Sequence, residues 1–436
     1  MAILPRVLSA RIPMALVGVA AVVASAAWVT SRGNPARLDK PRFDEVIADH
    51  AAKMLEDGRQ IFRFDTFGDE AFWGDALQLH KAIAGEKHGG VGGGVSPLPE
   101  TLRQQLQEGK VNLDDPATTL ALLKLNAVVG VTGFFDGNGN IRSMGIQCAF
   151  CHSTVNNSLA PGIGQRLDGW ANRDLNVGAI VSLAPNLKPF SDLLGVNVET
   201  VKKVFASWGP GRFDAELDKD GKAFRPDGKQ ASTLIPPAFG LAGVNLHTWT
   251  GFGSVTYWNA YVGATEMHGS GTFFDARFNR RDQYPVAARS GSGNTRGTPD
   301  RLTSELAALH FYQLAIPAPK PPAGSFDPAA FERGRGLFNG RARCATCHVP
   351  PLFTEPGNNL HAPSEIGVDA FQADRSPTHM YRTAPLAGLW THQKGGFYHD
   401  GRFATLLDVV AHYDTFFKLS LSEQEKSDLI EYLKGL

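Results

Sequence analysis

All four cysteines of the chain fall in two copies of one pentapeptide, Cys148-Ala149-Phe150-Cys151-His152 and Cys344-Ala345-Thr346-Cys347-His348. C-x-x-C-H is the attachment pattern of c-type haem. Two thiols bond the porphyrin vinyl groups, and the adjacent imidazole reaches the iron as its proximal ligand. No cysteine is left over for a disulfide. A zinc site would need further Cys or His at short spacing, and neither copy has a Cys-rich neighbour. A dithiol redox pair has no need of the following His. The pattern therefore predicts two covalently bound haem c groups, held by Cys148, Cys151, Cys344 and Cys347, with His152 and His348 on the irons.

The elements that must position these motifs come from a 436-residue chain with 43 basic and 43 acidic residues, a formal net charge of zero. With no Lys/Arg run, nothing favours nucleic acid or an anionic membrane surface as partner. The length suits two or three domains. The 47 Gly and 27 Pro predict much loop and argue against a long coiled coil or bundle. The expected class is mainly α: two cytochrome c-like haem domains with long loops, the first domain enlarged.

Arg6 and Arg11 precede a 19-residue run from Ile12 to Thr30, interrupted by Pro13, Gly18 and Ser25 and ending in small residues. This is the layout of an export signal, and it nearly reaches the roughly 20 residues that span a bilayer. Residues 1–38 are expected to be an export signal or an N-terminal membrane anchor, which places the remainder in the periplasm, soluble or tethered.

The motifs stand 196 residues apart, and each opens a similar series of parts. After the second come Pro385-Leu386-Ala387-Gly388-Leu389, Phe397-Tyr398-His399-Asp400-Gly401, a helix from Thr405 to Phe416, and a closing helix from Ser422. Ser422 and Glu425 form a capping-box pattern, and Leu429, Ile430, Leu433 and Leu436 recur at helical spacing. In the first half Pro237-Ala238-Phe239-Gly240-Leu241 is followed by His247-Thr248-Trp249-Thr250-Gly251, a helical stretch over Val255–Val262 and a closing helix over Leu302–Leu314. Helical segments at Phe43–Phe62 and Pro116–Val129 precede the first motif, and one through Phe331, Leu337 and Phe338 leads into the second. Pro317, Pro319, Pro321 and Pro322 mark a stiff linker. The domains are thus read as 39–316, carrying the reactive haem, a linker at 317–326, and 327–436, carrying a relay haem.

Two loops look like cation sites at first sight, Asp136-Gly137-Asn138-Gly139-Asn140 and Asp218-Lys219-Asp220-Gly221. Neither has Glu at the twelfth position, and turns explain both, so calcium is left as a cofactor without support. The Gly-rich stretch 89–94 lacks the Lys and Ser/Thr of a phosphate cradle.

The two haem motifs, the duplicated layout and the run Phe397-Tyr398-His399-Asp400-Gly401-Arg402-Phe403-Ala404-Thr405-Leu406 resemble bacterial di-haem cytochrome c peroxidases and the related methylamine-utilisation maturation enzymes. The C-terminal 110 residues carry the resemblance well, the first domain only in patches. It implies that the second haem relays electrons from a small periplasmic electron-transfer protein, and that the first meets peroxide or dioxygen.

The peroxidases place a Met on the relay iron fourteen residues after the His of His-Asp-Gly. Counting from His399 reaches Tyr413, and the maturation enzymes have a Tyr there. His412 competes as a metal ligand, but helix neighbours point about 100° apart, so only one can face the iron. Either ligand lowers the potential relative to Met. The family's Trp-Asp-Gly and Glu-Met fall on Trp249-Thr250-Gly251 and Glu266-Met267, with Thr in place of Asp and a spacing of seventeen. Trp249 is the implied inter-haem aromatic and Glu266 the implied catalytic proton shuttle.

One departure matters. No His lies between His152 and His247, and the positions echoing His412 and Tyr413 are Val262 and Gly263, which cannot ligate iron. The first haem is expected to be open on its distal side, with Met144, Met267, His247 and His268 as the residues able to close it. The haem rubber oxygenases also have an open first haem, and Trp258, Phe273 and Phe274 resemble their apolar distal pocket. The reading is an enzyme, a haem peroxidase-type oxidoreductase. The alternatives are an electron-transfer cytochrome with both irons capped, or a dioxygenase acting on an apolar substrate.

Overall fold

Helix α1, Phe43–Phe64, carries Asp44 and Glu45 in its first turn, where their charge suits the helix N-terminus. The computed structural model describes residues 42–84, 104–105, 108–392 and 394–436. The export segment and the Gly-rich stretch 89–94 lie outside the described residues. Residues 1–53 and 54–436 form separate units, and the first is described only in the opening turns of α1.

Helix α2, Pro116–Lys124, starts with Pro at its first turn behind Asp115, whose carboxylate accepts from the Ala117 amide. An antiparallel hairpin follows, β1 Val131–Phe135 against β2 Ile141–Ile146. Its turn is the Asp136–Asn140 loop, where the Asp136 side chain accepts from the Asn138 and Asn140 amides at 2.9 Å. The first haem motif comes directly after β2 and leads into β3 Ser153–Val155, paired with β4 Arg166–Asp168.

Between this point and the closing helix the chain is less loop-like than its composition suggests. It forms α3 Val177–Ser182, α4 Lys188–Leu194 and α5 Val198–Ala206, with Asn176 and Asn197 capping α3 and α5. A short β5 Arg212–Phe213 pairs with β6 Thr233–Leu234 around α6 Leu217–Asp220. Helix α7, Val255–Tyr261, continues as a π-turn over Val262–Glu266, where the Met267 amide reaches back to the Val262 carbonyl. Strands β7 Thr272–Phe274 and β8 Asn294–Arg296 form the last hairpin. Helix α8, Leu306–Ala315, closes this half.

The second half is simpler: α9 Pro328–Asn339, the second haem motif, α10 Leu406–Phe417 and α11 Glu423–Lys434. The capping box expected at Ser422 and Glu425 is present in both directions. Thr405 and Asp408 make another at the start of α10.

The duplication seen in the sequence recurs in the packing. Where α9 crosses α11, a Cβ on Gly334 would lie 2.0 Å from the Asp428 carbonyl oxygen and 2.8 Å from Tyr432 Cβ. Where α1 crosses α8, Gly58 meets Ala308 and Tyr312 at 2.0 and 2.6 Å. Only glycine permits either approach. One turn on, Phe338 packs on Tyr432 and Phe62 on Tyr312, at 5.0 and 5.6 Å between rings. Gly240 and Gly388 both adopt positive φ. Their amides donate to Ile316 and Leu436, at the ends of the two closing helices. Among the described residues, two of the hydrophobic clusters pack on the motifs. One packs against Cys148 and Cys151, the other against Cys344 and Ala345.

Candidate functional site

A cavity of about 1390 Å³ reaches both pentapeptides and is lined by Cys148, Cys151, His152, Cys344, Cys347 and His348. None of the four cysteines is in a disulfide. Burial pushes the Cys148 and Cys151 thiols up to about 12. A redox dithiol or thiolate metal site needs the opposite shift. Burial also lowers His152 to about 4 and lowers His348, leaving neutral imidazoles, the form that binds a metal. The His348 Nδ1–H donates to the Phe353 carbonyl at 3.1 Å, which frees Nε2 for iron. The Ala384 carbonyl also faces that ring, and the Pro236 carbonyl faces His152. These are the residues just before the two Pro-x-x-Gly-Leu segments. His152 Nδ1 itself has no partner at hydrogen-bonding geometry.

The rest of the wall fits a haem in a way the sequence did not reveal. Arg173 and Arg382 line the cavity, and guanidinium nitrogens of both are buried with no hydrogen-bond partner. Burial lowers both to about 10. Unpaired buried cations are costly, and a haem brings two carboxylate-bearing propionates. Isolated arginines in loops carry no motif, so only the fold exposes this role.

Of the paired candidates on α10, Tyr413 lines the cavity. Its hydroxyl is held up by burial, beside Tyr398 and the motif cysteines. His412 turns away, its Nε2–H donating to the Ile366 carbonyl at 3.3 Å, with its ring stacked on Phe416. In the first half Val262 and Gly263 border the cavity. The side-chain direction of Gly263 is filled by Leu302, 2.8 Å from where a Cβ would be. Met144, Met267 and His247 also line the cavity, whereas His268 stacks on Phe72 at 3.5 Å.

Helix α7 and its π-turn present Val255, Trp258, Asn259, Val262 and Glu266 to the cavity at helical intervals. A π-turn interrupts helical register and is frequent at functional sites; Glu266 is its last residue. The half-buried Glu266 lines the cavity, and its Oε1 is buried without a partner. Burial, then the Asp218 carboxylate, raises this carboxyl well above the usual range. Of the expected apolar pocket, Trp258 reaches the cavity, Phe273 is absorbed by packing against Tyr257 and Tyr261, and Phe274 is exposed on the surface.

Trp249 lies on the wall near both motifs, its Nε1–H donating to the Leu234 carbonyl at 2.9 Å. The Leu234 amide donates in turn to the His399 carbonyl at 2.7 Å. The loops holding Trp249 and His399 share one conformation. Thr248 and Tyr398 have φ of 64° and 69°, and single bridges join His247 to Gly253 and Phe397 to Phe403. They differ in their anchors. Asp400 pairs with Arg402 at 2.8 Å, and Arg402 and Arg225 both reach Asp369. Thr250, at the matching place, has no charge to offer such a network.

No family model matches the chain. It is similar to the methylamine utilization protein MauG of Methylorubrum extorquens, 27% identical over 226 residues, 46% of this chain and 63% of that protein. It is also similar to the cytochrome-c peroxidase IdrP1 of Denitromonas iodatirespirans, 25% identical over 267 residues, 48% of this chain and 68% of that one. The chain thus spans less than two thirds of the first relative's length. Among solved structures, it matches a MauG-like protein associated with microbial copper homeostasis, at 18% identity and a TM-score of 0.31, over 51% of this chain and 80% of that one. Hydrazine synthase of Kuenenia stuttgartiensis gives 21% identity and 0.28, over 49% and 76%. The resemblance to the di-haem cytochrome c peroxidase and MauG superfamily, carried by the motifs, is thus present along the sequence toward both branches.

Proposed function

We propose that this chain is an exported di-haem c-type oxidoreductase of the periplasm. In this reading residues 39–316 hold the reacting haem through Cys148, Cys151 and His152. Residues 327–436 hold the relay haem through Cys344, Cys347 and His348, and 317–326 link them. Two hydrophobic cores, each packed on one motif, support the division. The haems supply iron-centred redox chemistry toward peroxide, or toward dioxygen. A small periplasmic electron-transfer protein is the proposed donor.

The observation that carries the proposal is the asymmetry between corresponding helices. In the second half α10 puts Tyr413, a ligand-competent phenol, on the cavity wall. In the first half α7 and its π-turn put Val262, Gly263 and a carboxyl with one partnerless oxygen there. The side chains then divide the work. Tyr413 would offer the relay iron a phenol oxygen as ligand. Trp249 packs between the two sites. Glu266, kept protonated by burial and neighbouring carboxylates, holds a proton at the wall of the reacting site and can give it to a departing oxygen.

Carbon monoxide and cyanide titrations of the purified holoprotein, paired with peroxide turnover, test this. One of the two haems is expected to bind the added ligand. Glu266→Gln should cut turnover about 10²–10⁴-fold, the usual contribution of a positioned proton donor, with both haem spectra retained. Ligand binding at neither haem would favour a plain electron carrier. That second reading has its own support, because Met144 and Met267 also line the cavity.

A further inference from the structure

Behind Glu266 sits a charge cluster that neither haem attachment nor ligation explains. Lys219 is fully buried. Its ammonium lies 2.6 Å from Glu216 Oε2 and over four rings, Phe252, Trp258, Tyr261 and Phe278, at 4.6–5.5 Å from their centroids. An ammonium buried this deeply costs several kcal/mol unless paired, and aromatic faces offset only part of that. The carboxylate partner is therefore structurally required, and Glu216 also borders the cavity. Two carboxyls, Glu216 and Glu266, thus share one wall.

The surroundings separate them. Arg375 takes Asp214 and Asp220, at 3.0 and 2.7 Å. Asp218 accepts from the Tyr261 hydroxyl at 2.9 Å. Lys219 takes Glu216. Tyr284, whose buried hydroxyl burial keeps neutral, also faces the cluster, and the Cys151 thiol faces Glu266. Glu266 lies within reach of Lys219 and the Tyr261 hydroxyl, but among the described residues it makes no close ion pair, and its Oε1 is left without a partner. Five carboxyls against two cations cannot all be ionised in a dry interior.

We propose that Lys219 is a positioning residue that divides protons between the two cavity-facing carboxyls, keeping Glu216 ionised as an acceptor and Glu266 protonated as a donor. Burial pulls the Lys219 ammonium down, but Glu216, Asp218 and Glu266 outweigh it and hold it above its ordinary value. Groups whose environments pull them apart in this way make an acid–base pair. A peroxide needs both: one oxygen gives up its proton, and the other receives one. Transfer to Glu216 and from Glu266 leaves the cluster's total charge unchanged, so Lys219 need not move. This assignment rests on the reading that the α7 wall faces the reacting haem.

Infrared spectroscopy of the holoprotein's carboxyl C=O stretch, followed across pH in deuterated buffer, tests it without any turnover. At neutral pH the wild type should show a protonated-carboxyl band that disappears in Glu266→Gln. Lys219→Met should add a second such band, because Glu216 then has no cation and takes up a proton. Glu216→Gln should abolish the Glu266 band at neutral pH, because the released ammonium now charges Glu266; this variant decides the matter if Lys219→Met fails to fold. A Glu266 band that persists in Glu216→Gln, or no added band in folded Lys219→Met, overturns the proposal. If the bands behave as expected while peroxide is not turned over, the redox reading fails and the proton division stands.

Discussion

At the residue scale, the neighbours on α10 separate cleanly. Tyr413 borders the cavity and His412 is spent on the Ile366 carbonyl. Tyr413→Phe is therefore expected to change the absorption and magnetic-resonance spectra of one haem, whereas His412→Ala leaves both haem spectra unaltered. A spectral change confined to His412→Ala would reverse the ligand assignment. The sequence narrowed the choice to these two and could go no further, because 100° of helical rotation is decided by packing. The two C-x-x-C-H pentapeptides stand out in the sequence because their residues have a local, fixed spacing, and the structure brings both to one cavity. Arg173, Arg382 and Lys219 do not stand out. Each is an ordinary cation in the chain and becomes informative only once the fold removes its solvent and, for the arginines, leaves it no acid.

At the element scale, the paired helix crossings are among the closest glycine contacts of the described residues. Gly334→Ala must push apart α9 and α11, because its Cβ would fall 2.0 Å from the Asp428 carbonyl. Overpacking of this kind costs about 1–3 kcal/mol or more. Denaturant unfolding of the holoprotein should show that loss for Gly334→Ala and again for Gly58→Ala. Gly336→Ala, on the same helix with nothing within 4 Å, should show little. The repeat was present in the sequence as Gly58-Arg59-Gln60-Ile61-Phe62 and Gly334-Arg335-Gly336-Leu337-Phe338, a signal that haem-centred reading passed over. Caps were easier: Ser422 with Glu425 announces α11, and the structure closes that box. Helices α3, α4 and α5 were missed. Six to nine residues are too few to be stable by propensity alone, and these are ordered by the core they cover.

At the scale of the whole molecule, the regions around the two motifs differ in how much core they own. The buried cluster around the second motif contains eight residues, and the one around the first contains 31. A Cys344→Ser/Cys347→Ser variant should therefore lose cooperative folding of residues 327–436, while Cys148→Ser/Cys151→Ser keeps more native structure in its half. Hydrogen exchange resolved by segment would show which half opens, and equal protection in the two variants would contradict the expectation. The acidic cluster adds a pH dependence of defined sign. Burial raises Asp214 and Asp218 from 3.8 to about 6. Between these values the folded chain holds protons that the unfolded chain releases, so this contribution to stability falls as pH rises through that window. Unfolding free energies measured across it should decline less steeply in Asp218→Asn.

Leu234 has a consequence of its own. One residue is gripped on both sides, its N–H by the His399 carbonyl and its own carbonyl oxygen by the Trp249 indole. Leu234 is fully buried and paired with Arg212 in the β5–β6 ladder, so it behaves as a short, stiff link. A shift of the His399 segment must either carry the indole with it or snap one of the two grips. The loops holding His399 and Trp249 are in that sense geared, and a rearrangement of one would be felt mechanically at the other.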